Sequence, residues 1–254
     1  MLKVINQDGT EVSVQHSTFP AGEVYVKILE PELVTQNMTV RLLSADSEQI
    51  MRAVMLADAL KYLGAINLTL NTPYLPYSRQ DRVCSKGESF SLSVFLDVLD
   101  RVGYNNIETL DIHNSKCCSK LITNIHVDYT LYIQTPLEGT VFVSPDKGAV
   151  ERCKRASCGQ YPVAVLDKER TLEGIVQEPS TIIDLQLIKE AKSLLIIDDI
   201  CDGGGTFLSA AKVLRGLNPT AELHLFVTHG IFSQGLEKLE NVFNSVKCVN
   251  RYIK

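Results

Sequence analysis

The stretch from Leu194 to Leu214 admits few folds. It opens on the apolar run LLII, passes two adjacent carboxylates, Asp198 and Asp199, and reaches Asp202 and the triplet Gly203, Gly204 and Gly205 before Thr206. Beyond it, Phe207, Ala210, Ala211 and Leu214 recur at helical spacing, with Gly216 expected to end the helix. A short apolar run, a glycine turn and an amphipathic helix together make one unit of a parallel sheet covered by helices.

The same rhythm runs through the chain. Further strands are expected at Val40–Leu43, Ile66–Leu70, Ile107–Leu110, Val141–Val143, Val163–Leu166 and Leu223–Val227. Helices are expected over Glu48–Tyr62, capped by Asp46 or Ser47, and around Leu92, Phe95, Leu96 and Leu99, stopped by Gly103. The fold class is therefore α/β. With 254 residues, two similar parallel-sheet halves fit, 1–130 and 131–254, the last strand of the second packing back on the first.

Composition narrows the function. A net charge of −5 gives no general attraction to nucleic acid or to an anionic membrane, so any bound anion must be held by a local site. No apolar run approaches the roughly 18–20 residues of a membrane span, and Met1–Thr10 lacks the order of a signal peptide. Seven cysteines without a Cys-x-x-Cys spacing read as reduced thiols of a cytoplasmic protein. His16, His126, His224 and His229 have no metal-ligand spacing.

In such folds chemistry gathers where strands end and helices begin. Glycines at Gly203–Gly205 let successive amides turn toward a phosphate, and the helix that follows adds its positive end. Carboxylates repel phosphate but accept hydrogen bonds from sugar hydroxyls, so the segment suits ribose 5-phosphate. A glycine turn with acidic caps is the plainer alternative. The spacing is neither a P-loop nor a dinucleotide fingerprint. Cys201, inside this segment, is either an oxidation-sensitive thiol or a buried inert one.

Four more segments follow strands. TPYLPYSRQDR ends in Arg79, Gln80, Asp81 and Arg82, and arginine pairs with polyphosphate or stacks on a base, although a solvated charged loop would look similar. LDIHNSK carries Asp111 and His113, VSPDKGA carries Ser144 and Asp146, and AVLDKERTLEG carries Asp167, Lys168, Glu169 and Arg170.

Together with TFPAGEVYVKI and THGIFS, these segments resemble ribose-phosphate diphosphokinase, the family that makes phosphoribosyl diphosphate (PRPP), from Thr18 to Gly235. The resemblance implies two phosphoribosyltransferase-like domains with the active site between them, the first on the ATP side and the second on the ribose 5-phosphate side. It implies ribose-phosphate binding by Asp198, Asp199, Asp202, Gly203, Gly204, Gly205 and Thr206, and ATP binding by Arg79 and Gln80. Phe19, Gly22 and Glu23 correspond to a turn that reaches the adenine of a neighbouring subunit, which implies a homo-oligomer with a shared ATP site. His113 and Asp146 correspond to positions linked to Mg2+, and Lys168 and Arg170 to the basic pair of a mobile catalytic loop. The implied reaction moves the β,γ-diphosphate of ATP to the 1-hydroxyl of ribose 5-phosphate.

The chain departs from the family pattern at Ala21, usually aspartate, at Gly203, usually threonine, and at Glu169, commonly arginine. It also looks short at both ends. Gly203 leaves room for an acceptor whose phosphate is esterified, such as ADP-ribose. A phosphoribosyltransferase that consumes PRPP would share the glycine loop but has no need of RQDR or the Asp111–His113 pair. A silent regulatory homologue would not need Lys168, Arg170 and His113.

Overall fold

The computed structural model describes residues 2–114, 120–133, 138–171 and 174–252, with residues 167–171 and 174–182 described by backbone alone. Contacts divide the chain into two compact units, Met1–His126 and Val127–Lys254. The division precedes residue 130 because Val127 and Tyr129 are already buried, and the Tyr129 ring packs edge-on to Phe226 of the second unit at 5.6 Å.

In the first unit β1 (Leu2–Asn6) pairs antiparallel with β2 (Glu11–Val12) and with β5 (Asn37–Leu42). From β5 the sheet continues in parallel through β6 (Asn67–Asn71), β7 (Tyr104–Leu110) and β8 (Ile122–Ile125). Helix α1 (Ser47–Tyr62) begins where the Asp46 carboxylate accepts from the amides of Glu48 and Gln49, and it buries Ile50, Ala53, Leu56, Ala57 and Leu60. Helix α2 (Ser91–Val102) buries Leu92, Phe95, Leu96 and Leu99 and ends at Gly103, whose φ of 100° is open to glycine at little cost. Each fully buried side chain of this size contributes about 1.5–3 kcal/mol. A separate two-stranded ribbon, β3 (Val14–Thr18) with β4 (Val24–Ile28), carries the segment 19–23 as its turn.

The second sheet has the order β11 (Gly174–Ile183), β10 (Val163–Thr171), β9 (Thr140–Ser144), β12 (Ser193–Cys201), β13 (Glu222–Gly230), β14 (Ser245–Arg251). All neighbours are parallel except β10 and β11. Helices α3 (Val150–Ser157), α4 (Leu185–Glu190), α5 (Gly205–Leu217) and α6 (Glu237–Glu240) complete the unit. From β9 the chain adds β10 on one side and then β12 to β14 on the other. The direction of winding reverses between β9 and β12, and a crevice for ligands opens at such a switch point beyond the carboxyl ends of the strands.

Two expectations are corrected. The last strand, β14, is the outer parallel strand of the second sheet rather than a return to the first, and Val246 and Cys248 pack on the second core. Helix α5 runs past Gly216 to Leu217, because a glycine not required to adopt a left-handed φ continues a helix. Asn218 then stops it: its side-chain amide donates to the carbonyls of Ile188 and Ala191, and its oxygen accepts from the Ala221 amide.

Candidate active site

Strand β12 does not end at its apolar run. Asp198 pairs with Val227 and Ile200 with His229, so both carboxylates project from hydrogen-bonded strand. Beside them, β9 ends at Ser144, whose hydroxyl donates to the Asp146 carbonyl at 2.6 Å. The Asp146 carboxylate accepts from the amides of Gly148 (2.9 Å) and Ala149 (3.2 Å), starting the turn into α3. The switch point thus sets Asp146, just past the end of β9, near Asp198 within the adjacent β12, close enough for their charges to interact.

Asp199 is only 3% exposed. Its amide donates to the Asp198 carboxylate at 2.9 Å. The buried guanidinium of Arg152, on α3, lies 3.3 Å from Asp198 Oδ1 and 3.7 Å from Asp199 Oδ1. Burial pushes the Asp198 carboxyl well above the usual carboxylate range; the negative charges of Asp199 and Asp146 push the same way and Arg152 opposes them. Sequence reasoning missed Arg152. The signal was present, since Ala149, Arg152, Cys153 and Ala156 share one helical face and all are buried.

The glycine segment completes this end. Gly204 caps α5 with a φ of 80°. Among the described residues, no acceptor is bonded to the amides of Gly203, Gly204, Gly205 or Thr206. They form a run of free donors at the start of a helix, next to carboxylates. The Ser233 amide donates to the Asp202 carbonyl at 3.1 Å and ties the loop to the segment after β13. Cys201 is fully buried and its thiol is pushed up to about 12, chiefly by burial, so it is an inert core thiol at neutral pH.

The glycines differ in what they tolerate. A Cβ at Gly204 would sit 3.1 Å from Leu239 on a left-handed backbone, whereas one at Gly205 meets nothing within 4 Å. Gly204→Ala is therefore expected to destabilise the protein by about 1–2 kcal/mol. Gly205→Ala is expected to leave stability unchanged or raise it by up to about 1 kcal/mol. Thermal unfolding of the two variants checks both.

In the first unit, β6 and β7 deliver their loops to the same edge. The Leu110 amide and the Thr109 hydroxyl both donate to the Pro73 carbonyl, and the Asn114 amide donates to the Asp81 carboxylate at 2.6 Å. RQDR and LDIH are thereby joined, with Arg79, Gln80 and His113 exposed on that edge. At the tip of the β3–β4 ribbon, the Gly22 amide donates to the Phe19 carbonyl, and the Phe19 ring, 54% exposed, meets Tyr25 edge-on at 6.0 Å. Glu23 is exposed beside it.

The backbones of Lys168 and Arg170 lie in β10, opposite Pro179 and Ile175 of β11. Their side chains lie outside the described residues. Among the described residues no three His, Cys, Asp or Glu converge as a metal site, and no helix is long and apolar enough to cross a membrane.

A parallel sheet with acids and a free-amide glycine turn at its switch point defines a phosphoribosyltransferase-type α/β protein. The chain matches the N-terminal domain of ribose phosphate pyrophosphokinase over residues 3–103 and the phosphoribosyl transferase domain over residues 110–253. It is 32% identical to a ribose-phosphate pyrophosphokinase of Pyrococcus abyssi, over 97% of this chain and 86% of the relative. A second such enzyme, of Thermococcus kodakarensis, is 28% identical over 94% and 85%. The phosphoribosylpyrophosphate synthetase of Mycobacterium smegmatis superposes with a TM-score of 0.78 at 23% identity, covering 93% of this chain and 79% of that one. The chain belongs to the ribose-phosphate pyrophosphokinase family.

Proposed function

We propose that the chain transfers the β,γ-diphosphate of ATP to the 1-hydroxyl of ribose 5-phosphate, giving PRPP and AMP. The observation that carries the reading is the pairing of Asp198 with the free amides of Gly203–Thr206 at the switch point. The carboxylate accepts hydrogen bonds from the sugar hydroxyls, and the amides donate to the phosphate oxygens. The 1-hydroxyl oxygen forms a bond to the β-phosphorus, the bond from that phosphorus to the α,β-bridging oxygen breaks, and AMP leaves with the electron pair while the hydroxyl proton passes to solvent. Arg79 and Gln80 hold the nucleotide, and Lys168 and Arg170 neutralise charge that builds on the transferred group.

The donors fit Mg2+. Mg2+ usually keeps several waters and takes one or two carboxylates plus phosphate oxygens, so no all-protein cluster is required. Asp146 of the second unit and His113 of the first are each residues that would meet such an ion, directly or through water, and when bound it would supply neutralisation of the phosphates. The exposed ring of Phe19, with Gly22 and Glu23, serves the adenine of a neighbouring copy in a homo-oligomer. The reaction belongs to the cytoplasm, where ATP is available.

A second acceptor is favoured by Gly203, which is exposed and has no left-handed φ. Its Cβ would lie in ordinary contact, 3.5 Å from Gln234 Cγ and 3.9 Å from Ser233 Oγ. Neither conformation nor packing excludes a side chain there, and the gap suits an esterified 5-phosphate such as that of ADP-ribose. The test is AMP release and product mass with ATP, Mg2+ and either acceptor. Turnover with ribose 5-phosphate alone removes the esterified acceptor, and AMP release with neither overturns the transferase reading.

A further inference from the structure

We propose that Arg52 is a positioning residue for the nucleotide, holding the tip of the β3–β4 ribbon against α1. The inference rests on the reading of the turn at Phe19–Glu23 as a nucleotide contact. A two-stranded ribbon is marginal by itself and takes its placement from what it packs on. At its base, Val14 pairs with the buried Ile28, and Val14 and Val26 pack on the first core. At the other end, Thr18 pairs with Val24 immediately before the turn, and both Thr18 and Phe19 are exposed.

That end is fastened by polar bonds instead. The Thr18 hydroxyl donates to Glu48 Oε1 at 2.8 Å, Arg52 Nη2 donates to Thr18 Oγ1 at 3.2 Å, and Arg52 is ion-paired with Glu48 one helical turn away. The arginine side chain is only 11% exposed, and its Nε is buried without a partner. An unpaired buried donor is unfavourable, and an apolar residue on this face of α1 would avoid it. What the arginine adds is its Nη2 group, which donates to Thr18 and Glu48 together and fixes the last residue before the turn.

The test uses the full chain, as wild type, Arg52→Ala and Arg52→Lys, with ATP affinity measured by calorimetry independently of turnover. Hydrogen exchange of residues 14–28 and the KM for each substrate complete it. Arg52→Ala is expected to weaken ATP binding about fivefold to tenfold and to speed exchange at residues 17–24. The kcat and the KM for the acceptor should stay within about twofold, and Arg52→Lys should recover part of the loss. Unchanged ATP affinity overturns the proposal, as does a parallel loss for both substrates or unchanged exchange at the tip. Weakened ATP binding in the variant, with a wild type that releases no AMP, would keep the positioning role and overturn the proposed reaction instead.

Discussion

Replacing Lys168 with alanine should lower turnover by about two to three decades while leaving the unfolding temperature close to that of the wild type. The size follows from the chemistry. In phosphoryl-type transfer little covalent work falls to the protein, and fixed cations stabilise charge on the non-bridging and leaving oxygens. Loss of one such contact costs about 3–4 kcal/mol of transition-state stabilisation. The backbone of Lys168 lies on β10, paired with the antiparallel edge strand β11. The measurements are kcat by AMP release and thermal unfolding on the same preparations. A variant with near-normal turnover removes Lys168 from the reaction.

The second large effect is on stability. Arg152→Ala leaves Asp198 and Asp199 side by side, their side chains 15% and 4% exposed, without the guanidinium that faces both. Stranding buried charge in this way costs about 3–5 kcal/mol. The pH dependence has a definite sign. Burial and the Asp199 charge already raise the Asp198 pKa in the folded protein. The stability tied to its proton is therefore fully present below the unfolded carboxylate pKa and is lost as pH rises through the folded one. Removing Arg152 raises that folded value further, so the deficit of Arg152→Ala should widen from acid toward neutral pH. Adding Asp198→Asn should recover part of it at neutral pH. Denaturant unfolding at several pH values checks the trend, and a pH-independent deficit would refute the electrostatic account.

How legible this was in the sequence depended on what fixes each element. The central strands carry apolar runs because both faces are covered, and β5, β6, β7, β9, β10, β12 and β13 all overlap their expected positions. The strands missed are of another kind. In β3 only Val14 is even partly buried, β4 alternates between partly buried and exposed positions up to the buried Ile28, and β2, β8, β11 and β14 lie at sheet edges; β1, also missed, is an inner strand. Strands of that sort are specified by their neighbours more than by their own residues. The site shows the same division. Asp198 and Gly203–Thr206 lie in one short segment and could be found as a motif, whereas Arg152 reaches Asp198 only through the packing of α3. The bond between Asn114 and Asp81 is likewise invisible until β6 and β7 pair.

The continuation of β12 through its acids has a consequence for selectivity. Asp198 stands on a backbone fixed by the ladder to β13, whereas the donors that follow stand on glycines outside it. In the proposed reading, a pentose epimer would displace a hydroxyl from a carboxylate that has no freedom to follow, so errors of sugar stereochemistry would be punished in full. Changes at the phosphorus end would instead meet the exposed Gly203, where a side chain is missing. Drift in acceptor choice within this lineage would then proceed by what is attached to the phosphate, while the configuration of the ring stays constant.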